Sequence, residues 1–505
     1  MIVEDQSEVV AFLSDPATYG INEKIDVIET HISIVFLAGD RAYKLKKAVY
    51  LPYADFSTSE IRSEACAKEL QLNKTTSPEI YLGVRHITRS GSVLNLDGQG
   101  EFVDAVVEMV RFDQDAILDK MAVRGELTSN VMSVLAKTIA KAHQLAKKVQ
   151  ANGRENIEAV LEINHAGFQQ SSVFSKAEVD LIDGAFHADL KQRAPILDKR
   201  AARGCVRLCH GDLHLRNICL FGGRPRLFDC IDFNDQLATV DVLYDLAFLA
   251  MDLWHRDLRQ FANLVVNHYL DITEEEDGYP CLPFFIALRA AVRAHVLATQ
   301  SEDPHIEDAN AKRQEARSYY ELAMSLFCAS KPRLVAIGGF SGSGKSTMSI
   351  AIAPAIGSAP GARVIESDKT RKAMFGCDPH TKLPDHAYEP EVSDRVYGSM
   401  AQRAGSLLSG GSAVVVDAVY DRPGRREEAE QVAREACVRF DGIWLTAAPG
   451  ELKRRVQTRP QSASDATPRV LERQLQKHLG PIDWNHIKTS CTIEETRLKI
   501  LKTLA

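Results

Sequence analysis

The segment from Leu334 to Thr347 constrains this chain most. Leu334-Val335-Ala336-Ile337 is an all-apolar run of strand length. Gly339-Phe340-Ser341-Gly342-Ser343-Gly344 follows, and Lys345-Ser346-Thr347 opens a stretch with helical spacing. A buried strand, a glycine turn and a helix N-terminus, in that order, aim backbone N–H groups and the positive end of a helix dipole at one point, which suits an anion. Further apolar runs at Val364–Glu366, Ala413–Val416 and Ile443–Leu445, separated by helical segments, predict a parallel sheet with helices on both faces.

Gly339-x-x-x-x-Gly344-Lys345-Ser346 meets the Walker A pattern in full. In that pattern Lys345 reaches the β- and γ-phosphates of a nucleotide and Ser346 binds magnesium. The candidate phosphate contacts are therefore Gly339, Ser341, Gly342, Ser343, Gly344, Lys345, Ser346 and Thr347. Asp368 follows the second apolar strand, where a carboxylate faces the phosphate site and can take a proton from an acceptor hydroxyl. Val414-Val415-Val416-Asp417 ends in a single carboxylate, so Asp417 is a candidate for magnesium or the acceptor. It has no adjacent glutamate of the kind motor ATPases use to activate water. Arg454, Arg455 and Arg459 lie on one predicted helix, ahead of Ser464-Asp465-Ala466.

A second motif lies upstream: His210-Gly211-Asp212-Leu213-His214-Leu215-Arg216-Asn217, then Ile231-Asp232-Phe233. Asp212 and Asn217 keep the D-x-x-x-x-N spacing of a kinase catalytic loop, and Asp232 follows a short predicted hairpin, Ile218–Phe221 and Arg226–Ile231. A metal-nucleotide phosphotransferase needs such a set: a carboxylate for the acceptor hydroxyl, two oxygen ligands for magnesium and a lysine for the phosphates. Short strands are expected at Ile25–Thr30, Ile32–Leu37 and Ala42–Lys46, and Arg41-Ala42-Tyr43-Lys44 ends a strand in the position of the kinase V-A-I-K. Lys44 is the candidate phosphate lysine, with Lys46 on the same face by the period of two. Its partner belongs on the next helix, which Ser57 caps in a capping-box pattern with Glu60. Glu64 and Glu69 both sit there, and Glu69 is preferred. His210 reads as a residue that fixes the loop. A further helix is expected from Thr128 to about Gln150, and others over Val242–Trp254 and much of 284–328.

On these residues the stretch 206–250 resembles the aminoglycoside phosphotransferase and choline kinase superfamily, which has the two-lobed protein-kinase-like fold. Asp241-Val242-Leu243-Tyr244-Asp245-Leu246-Ala247 resembles that family's segment beyond the metal site, and Ala140-Lys141-Ala142-His143 its helix before the catalytic loop. The resemblance spans roughly 25–325 and implies Asp212 as catalytic base, with Asn217 and Asp232 as magnesium ligands. Two departures stand out: Asn234 replaces the glycine of D-F-G, and Thr30-His31 carries no glycine-rich loop. The segment 333–480 resembles P-loop small-molecule and polynucleotide 5′-hydroxyl kinases, related to gluconate kinases and zeta-type toxins. That resemblance implies Asp368 as base, Arg371 as an acceptor-binding arginine and Arg459 as the arginine of a mobile lid.

With 505 residues the chain exceeds a single core. The fold class expected is multidomain, α+β followed by α/β: a protein-kinase-like two-lobed domain over 1–328, then a P-loop parallel-sheet kinase domain over 329–505, with Cys328–Pro332 as linker. Hydrophobic content of 45% and charged content of 26% are those of a globular protein, and the net charge of −7 disfavours bulk binding to nucleic acid or anionic membrane. The acidic N-terminus lacks a signal-peptide pattern, no apolar run approaches a membrane span, and ten scattered cysteines fit a reducing cytoplasm. The expected activity is magnesium- and ATP-dependent transfer to small hydroxylated molecules at two centres. The rivals are a single catalytic domain regulated by the other, or a polynucleotide-kinase-like or zeta-toxin-like activity in the second. Lys453, Arg454, Arg455, Arg469, Arg473 and Lys477 make nucleic acid conceivable as an acceptor, but Glu451 and Glu472 dilute them and no aromatics interleave.

Overall fold

The computed structural model describes residues 3–505 except 52–53, 304–305, 307, 329–330, 379–380 and 459–463. By packing, the chain divides into two compact units: Met1–Val160 with Leu197–Asp252, and Leu161–Ile196 with Leu253–Ala505.

The first unit is built on a six-stranded antiparallel sheet. Its strands are β1 (Asp26–Glu29), β2 (Ser33–Ala38) and β3 (Arg41–Lys46), then, after helix α1 (Ser59–Thr76), β4 (Tyr81–Ser90), β5 (Val93–Leu96) and β6 (Glu101–Val110). The order is β1-β2-β3-β6-β4-β5. Alternate residues of the central strands enter two different cores. Phe36, Leu45 and Val106 join one, while Leu37, Ala42 and Val107 join the other, with Cys66 of α1. Burying each such side chain is worth about 1.5–3 kcal/mol, which fixes the register of β3 and hence the direction of its lysines.

Helix α1 starts one residue later than the capping pattern suggested. Thr58, not Ser57, is its N-cap, accepting from the Ile61 N–H. Ser57 is instead held by its own N–H on Asp55. The buried face of α1 is largely polar: Arg62, Cys66, Glu69 and Asn73, one heptad-like stripe. Arg62 is matched by Asp104 of β6, at 2.8 Å, so the buried charge is paired.

Helix α2 (Ser129–Leu145) is N-capped by Thr128 and stops before the expected Gln150. Residues 147–149 pair instead alongside β7 (Val206–Leu208): Leu208 N–H donates to Lys147 and Val149 N–H to Val206. The hairpin β8 (Ile218–Phe221) and β9 (Arg224–Leu227) is present, but β9 ends four residues short of Ile231, and Asp229 takes a positive φ of 59° that breaks strand geometry. A short β10 (Thr239–Asp241) pairs with β7 and leads into α3 (Val242–His255).

The second unit contains helices α4 (Arg259–Thr273), α5 (Leu282–Ser301) and α6 (Ala309–Leu326). The stretch Glu276–Ser301 is long and apolar enough to cross a membrane by length and composition alone, but 72% of its apolar 18-residue window is buried inside the protein, the place of a core helix. The parallel sheet follows: β11 (Arg333–Gly338), α7 (Lys345–Ile352), β12 (Arg363–Glu366), α8 (Ser367–Met374), α9 (Pro390–Ser409), β13 (Val414–Asp417), α10 (Pro423–Glu435), β14 (Arg439–Thr446), α11 (Pro449–Thr458), α12 (Pro468–Leu475), β15 (Asn485–Lys488) and α13 (Ile493–Leu504). Its order is β12-β13-β11-β14-β15, with every pairing parallel. Val335, Ile337, Val364, Val415, Ile443 and Leu445 share one core with Met348 and Ile352 of α7 and Ile500 and Leu504 of α13. The apolar runs read from the sequence are these strands.

Candidate active sites

In the first unit, β3 presents Lys44 and Lys46 to the same residue. Lys44 Nζ donates to Glu69 Oε1 and Lys46 Nζ to Glu69 Oε2, both at 2.8 Å. The two lysines then diverge: Lys44 reaches Asp229 and Lys46 reaches Asp232. Burial pushes the Glu69 carboxyl up, but Lys44 and Lys46 outweigh it and hold it down to about 2. Both lysines are held above the ordinary ammonium range: burial acts against the charge, and the surrounding carboxylates prevail. Burial pushes Asp232 above the carboxylate range, with Lys46 pulling the other way. Asp229 is the residue that sequence reading missed. Its side chain is 48% exposed, against 5% for Asp232, so it is the more open of the two carboxylates. The signal was there in Phe228-Asp229-Cys230, but Ile231-Asp232-Phe233 drew the assignment.

Asp212 and Asn217 come together as their spacing suggested. Asn217 Nδ2 donates to Asp212 Oδ2 at 2.7 Å and to the Asp212 carbonyl at 3.0 Å. The loop is anchored from behind. Gly211 has φ +80°, and a Cβ there would lie 2.9 Å from Ile231, so the position favours glycine. Its N–H donates to Asp245 Oδ1, and Asp245 Oδ2 meets His143 Nε2 at 3.0 Å. His210 has the fixing role expected: its Nε2 bonds the Phe228 carbonyl at 3.0 Å, and its carbonyl accepts from Ile231 N–H. Burial lowers the His210 pKa, which keeps the ring neutral. The loop and the Asp229–Asp232 segment are thereby tied to each other.

The second unit holds the glycine loop between β11 and α7. Gly339 has φ +140° and Gly342 φ +82°; a Cβ would come within 2.6 Å of the Leu445 carbonyl at the first and 2.7 Å of the Leu452 carbonyl at the second. No other residue fits the loop without moving it. Ser341 and Ser343 are buried, while Ser346 and Thr347 are exposed on the first turn of α7 after Gly344. Lys345 Nζ donates to the Phe340 carbonyl at 3.3 Å. Ser346 Oγ donates to Asp417 Oδ2 at 2.5 Å, so the two magnesium-ligand candidates are joined. Gln474 of α12, not foreseen from sequence, accepts the Ser341 N–H at 2.9 Å.

Carboxylates gather at the C-terminal edge of this sheet. Glu366 and Asp417 are register partners, and Asp417 also stands opposite Ile337. Burial pushes Asp417 up to about 7, with Lys345 lowering and Glu366 raising it. Burial likewise raises Asp368, against a hydrogen bond from Ser464 and the charges of Lys345 and Arg371. Arg371 is buried. Its NH1 donates to the Ala387 carbonyl at 2.6 Å, its guanidinium lies 5.0 Å over the Tyr388 ring, and its Nε has no hydrogen-bond partner among the described residues. Asp465 ties the segment after the expected lid to this region through Lys372, the Leu383 N–H and Tyr388. Arg459 itself lies outside the described residues. The basic stretch is largely neutralised: Lys453 pairs with Glu472, and Arg454 and Arg455 both pair with Glu451.

Comparison with known proteins matches two separate segments of the chain. Residues 101–285 match the family described as "Phosphotransferase enzyme family", and residues 334–481 match "AAA domain". An uncharacterized protein of Mycobacterium tuberculosis (strain H37Rv) is 29% identical over 459 residues, covering 88% of each chain. Among solved structures, a choline/ethanolamine kinase family protein from Mesorhizobium loti aligns with 64% of this chain and 95% of its own, at 14% identity and a TM-score of 0.40. A gluconokinase from Sinorhizobium meliloti 1021 aligns with 34% of this chain and 91% of its own, at 22% identity and a TM-score of 0.25. The chain thus carries a segment that matches a phosphotransferase family model, followed by a segment that matches an AAA-domain model and holds the Walker A loop and the five-stranded parallel sheet.

Proposed function

We propose that the chain is a two-centre phosphotransferase, with kinase-type modules over 1–328 and 329–505 that each move the γ-phosphoryl group of ATP to a hydroxyl of a small molecule. The observation that carries the reading is the glycine loop with Ser346 on Asp417, a cradle no side chain could share, backed by oxygen donors for a hard cation. In the first centre Asn217 with Asp232 or Asp229 forms the matching oxygen set. Bound magnesium would supply charge neutralisation on the transferring group.

The chain's own residues do the rest. Lys44, oriented by Glu69, holds phosphate oxygens in the first centre, and Asp212 accepts the proton of the incoming hydroxyl. Lys345 holds phosphate oxygens in the second. Asp368, raised by burial, is a stronger base than an ordinary aspartate and is suited to take the proton of the incoming hydroxyl. Arg371 orients the acceptor, and Arg459 is assigned to lid closure. Neutralisation of the basic stretch by Glu451 and Glu472 supports a small acceptor over a nucleic acid.

The test uses the full chain. Magnesium-dependent ATP turnover is measured for wild type, Asp212→Ala, Lys345→Ala and the double variant, with labelled ATP in a metabolite extract to detect products. Each single variant should keep the other centre's share, and the double variant should keep none. Undiminished turnover in the double variant would sink the proposal. Labelled product from a 5′-hydroxyl oligonucleotide would replace the small-molecule acceptor with a polynucleotide. One observation favours a second reading, a catalytic P-loop centre beside a nucleotide-sensing first centre: Lys46 sits on Asp232. ATP binding at the first centre with all turnover surviving Asp212→Ala would select it.

A further inference from the structure

β12 is an edge strand of the parallel sheet, and an edge needs cover. Within the second unit that cover is α4, with one face of Asn263, Asn267 and Asp271 spaced four apart. Asn263 Nδ2 donates to the carbonyls of Pro360 and Ala362, at 3.0 and 2.9 Å. Asn267 Oδ1 accepts the Val364 N–H at 2.8 Å, taking the ladder position a further strand would hold. Tyr279 donates to the Gly361 carbonyl at 2.6 Å. These four helix-side residues fall within the phosphotransferase match at 101–285, while β12 falls within the AAA-domain match at 334–481.

The same contact carries an alternating chain of charges. Arg403 pairs with Glu276, Glu276 with Arg363, Arg363 with Asp271, Asp271 with Lys369 and Lys369 with Glu366. Arg363 and Lys369 flank the short segment that turns from β12 into α8. Between them lie Glu366, register partner of Asp417, and Asp368, the proposed base. Arg363 is fully buried, so its guanidinium depends on Asp271 and Glu276 for compensation.

We propose that Asp271 and Glu276 are positioning residues for the P-loop centre, gripping Arg363 and Lys369 so that Glu366 and Asp368 keep their places beside Asp417. The inference rests on the P-loop reading above. It means that the second centre is built partly from helix residues of the first family match. Small displacements of a reacting group lower turnover far more than they lower nucleotide binding, by as much as about a hundredfold per ångström.

The experiment uses the full chain in an Asp212→Ala background, so that turnover of magnesium-ATP with water as acceptor reports on the P-loop centre. Lys345→Ala in that background is the control; if it leaves turnover unchanged, the P-loop reading itself fails and the inference with it. Where the control is silent, Asp271→Asn should lower kcat by about tenfold while KM for magnesium-ATP stays within about twofold, and Asp271→Glu should recover most of the loss. Lys369→Met should also lower kcat, and Asp271→Asn on top of Lys369→Met should add less than it costs alone, since the two share the Asp271–Lys369 link while Asp271 also holds Arg363. Should Asp271→Asn fail to fold, Glu276→Gln and Lys369→Met carry the same comparison. An unchanged kcat, losses that multiply in the double variant, or a rise in KM equal to the fall in kcat would each overturn the positioning role.

Discussion

The two centres treat charge in opposite ways. In the first, Lys44 and Lys46 face Glu69, Asp229 and Asp232, and cations and carboxylates neutralise one another before any nucleotide arrives. In the second, burial moves Asp417 up to about 7 and raises Asp368, with Lys345 pulling both the other way. The first centre is held in shape by its ion pairs. At the second, the phosphate cradle is held by backbone, a glycine loop, a helix start and parallel strands, while the ion pairs of Asp271 and Glu276 brace the β12 side. Substitutions at the charged residues that line each site should therefore damage shape in the first and chemistry in the second.

The largest expected effect tests what the centres share. Asp212→Asn and Asp368→Asn should each lower phosphoryl transfer at their own centre by about 10² to 10⁴, the usual worth of a positioned base. ATP binding, followed by calorimetry on the full chain, should persist in both. If one substitution removes all transfer, the centres are not independent and the comparison breaks.

The next effect separates them. Lys46 is 1% exposed and bridges Glu69 to Asp232, so Lys46→Met leaves two buried carboxylates short of a cation. Breaking a buried pair in this way costs about 3–5 kcal/mol. Lys44 is more exposed, and Lys44→Met should raise KM for ATP with a smaller loss of stability. Thermal unfolding and ATP titration of the two variants decide the point; equal losses of stability would show that the lysines share one role.

pH offers a comparison within the second unit. Burial lowers His268 and His295 to about 4. Unfolded histidine binds its proton near pH 6.5, so between 6.5 and 4 the unfolded chain holds more protons than the folded one. Stability is complete above pH 6.5 and falls as the pH drops toward 4, by on the order of 3 kcal/mol for each histidine. All three tryptophans, Trp254, Trp444 and Trp484, lie in this unit, so their fluorescence reports its unfolding selectively. His295→Gln should flatten the decline of the fluorescence midpoint with acid; an unchanged slope would mean that His295 is protonated in the folded protein.

The same contrast explains how much was legible in the sequence. The parallel sheet was readable because its strands are all-apolar runs, and the glycine loop because steric demands at Gly339 and Gly342 leave one residue type. The pairing of Lys44 with Glu69 and of Asp212 with Asn217 was readable from order and spacing. The polar face of α1 was not, since Arg62, Glu69 and Asn73 are buried by partners far away in the chain rather than by any apolar period. Asp229 was passed over for a related reason: its approach to Lys44 depends on β9 ending early, at a φ of +59°, and the Phe228-Asp229-Cys230 run does not by itself say where the strand stops. The cover that α4 gives to β12 is likewise a tertiary fact, invisible in either family match alone.

The smallest expected effect concerns Asn234, which stands where kinases of the D-F-G type have glycine. Its φ is −151°, extended backbone open to any residue, so the position makes no conformational demand for glycine. Its side chain instead accepts the N–H groups of Gln236 and Leu237, at 2.9 and 3.4 Å, and caps the one-turn helix Asp235–Ala238. Glycine is a tolerable cap and alanine a poor one. Asn234→Gly should therefore cost only a few tenths of a kcal/mol, and Asn234→Ala about 1 kcal/mol, by thermal unfolding. Turnover at the first centre should stay within about twofold in the glycine variant, because the cap and not the backbone conformation is what Asn234 contributes. A marked gain in turnover with glycine would show instead that the asparagine restrains the Asp229–Asp232 segment, and that the first centre's paired charges are a resting arrangement rather than the working one.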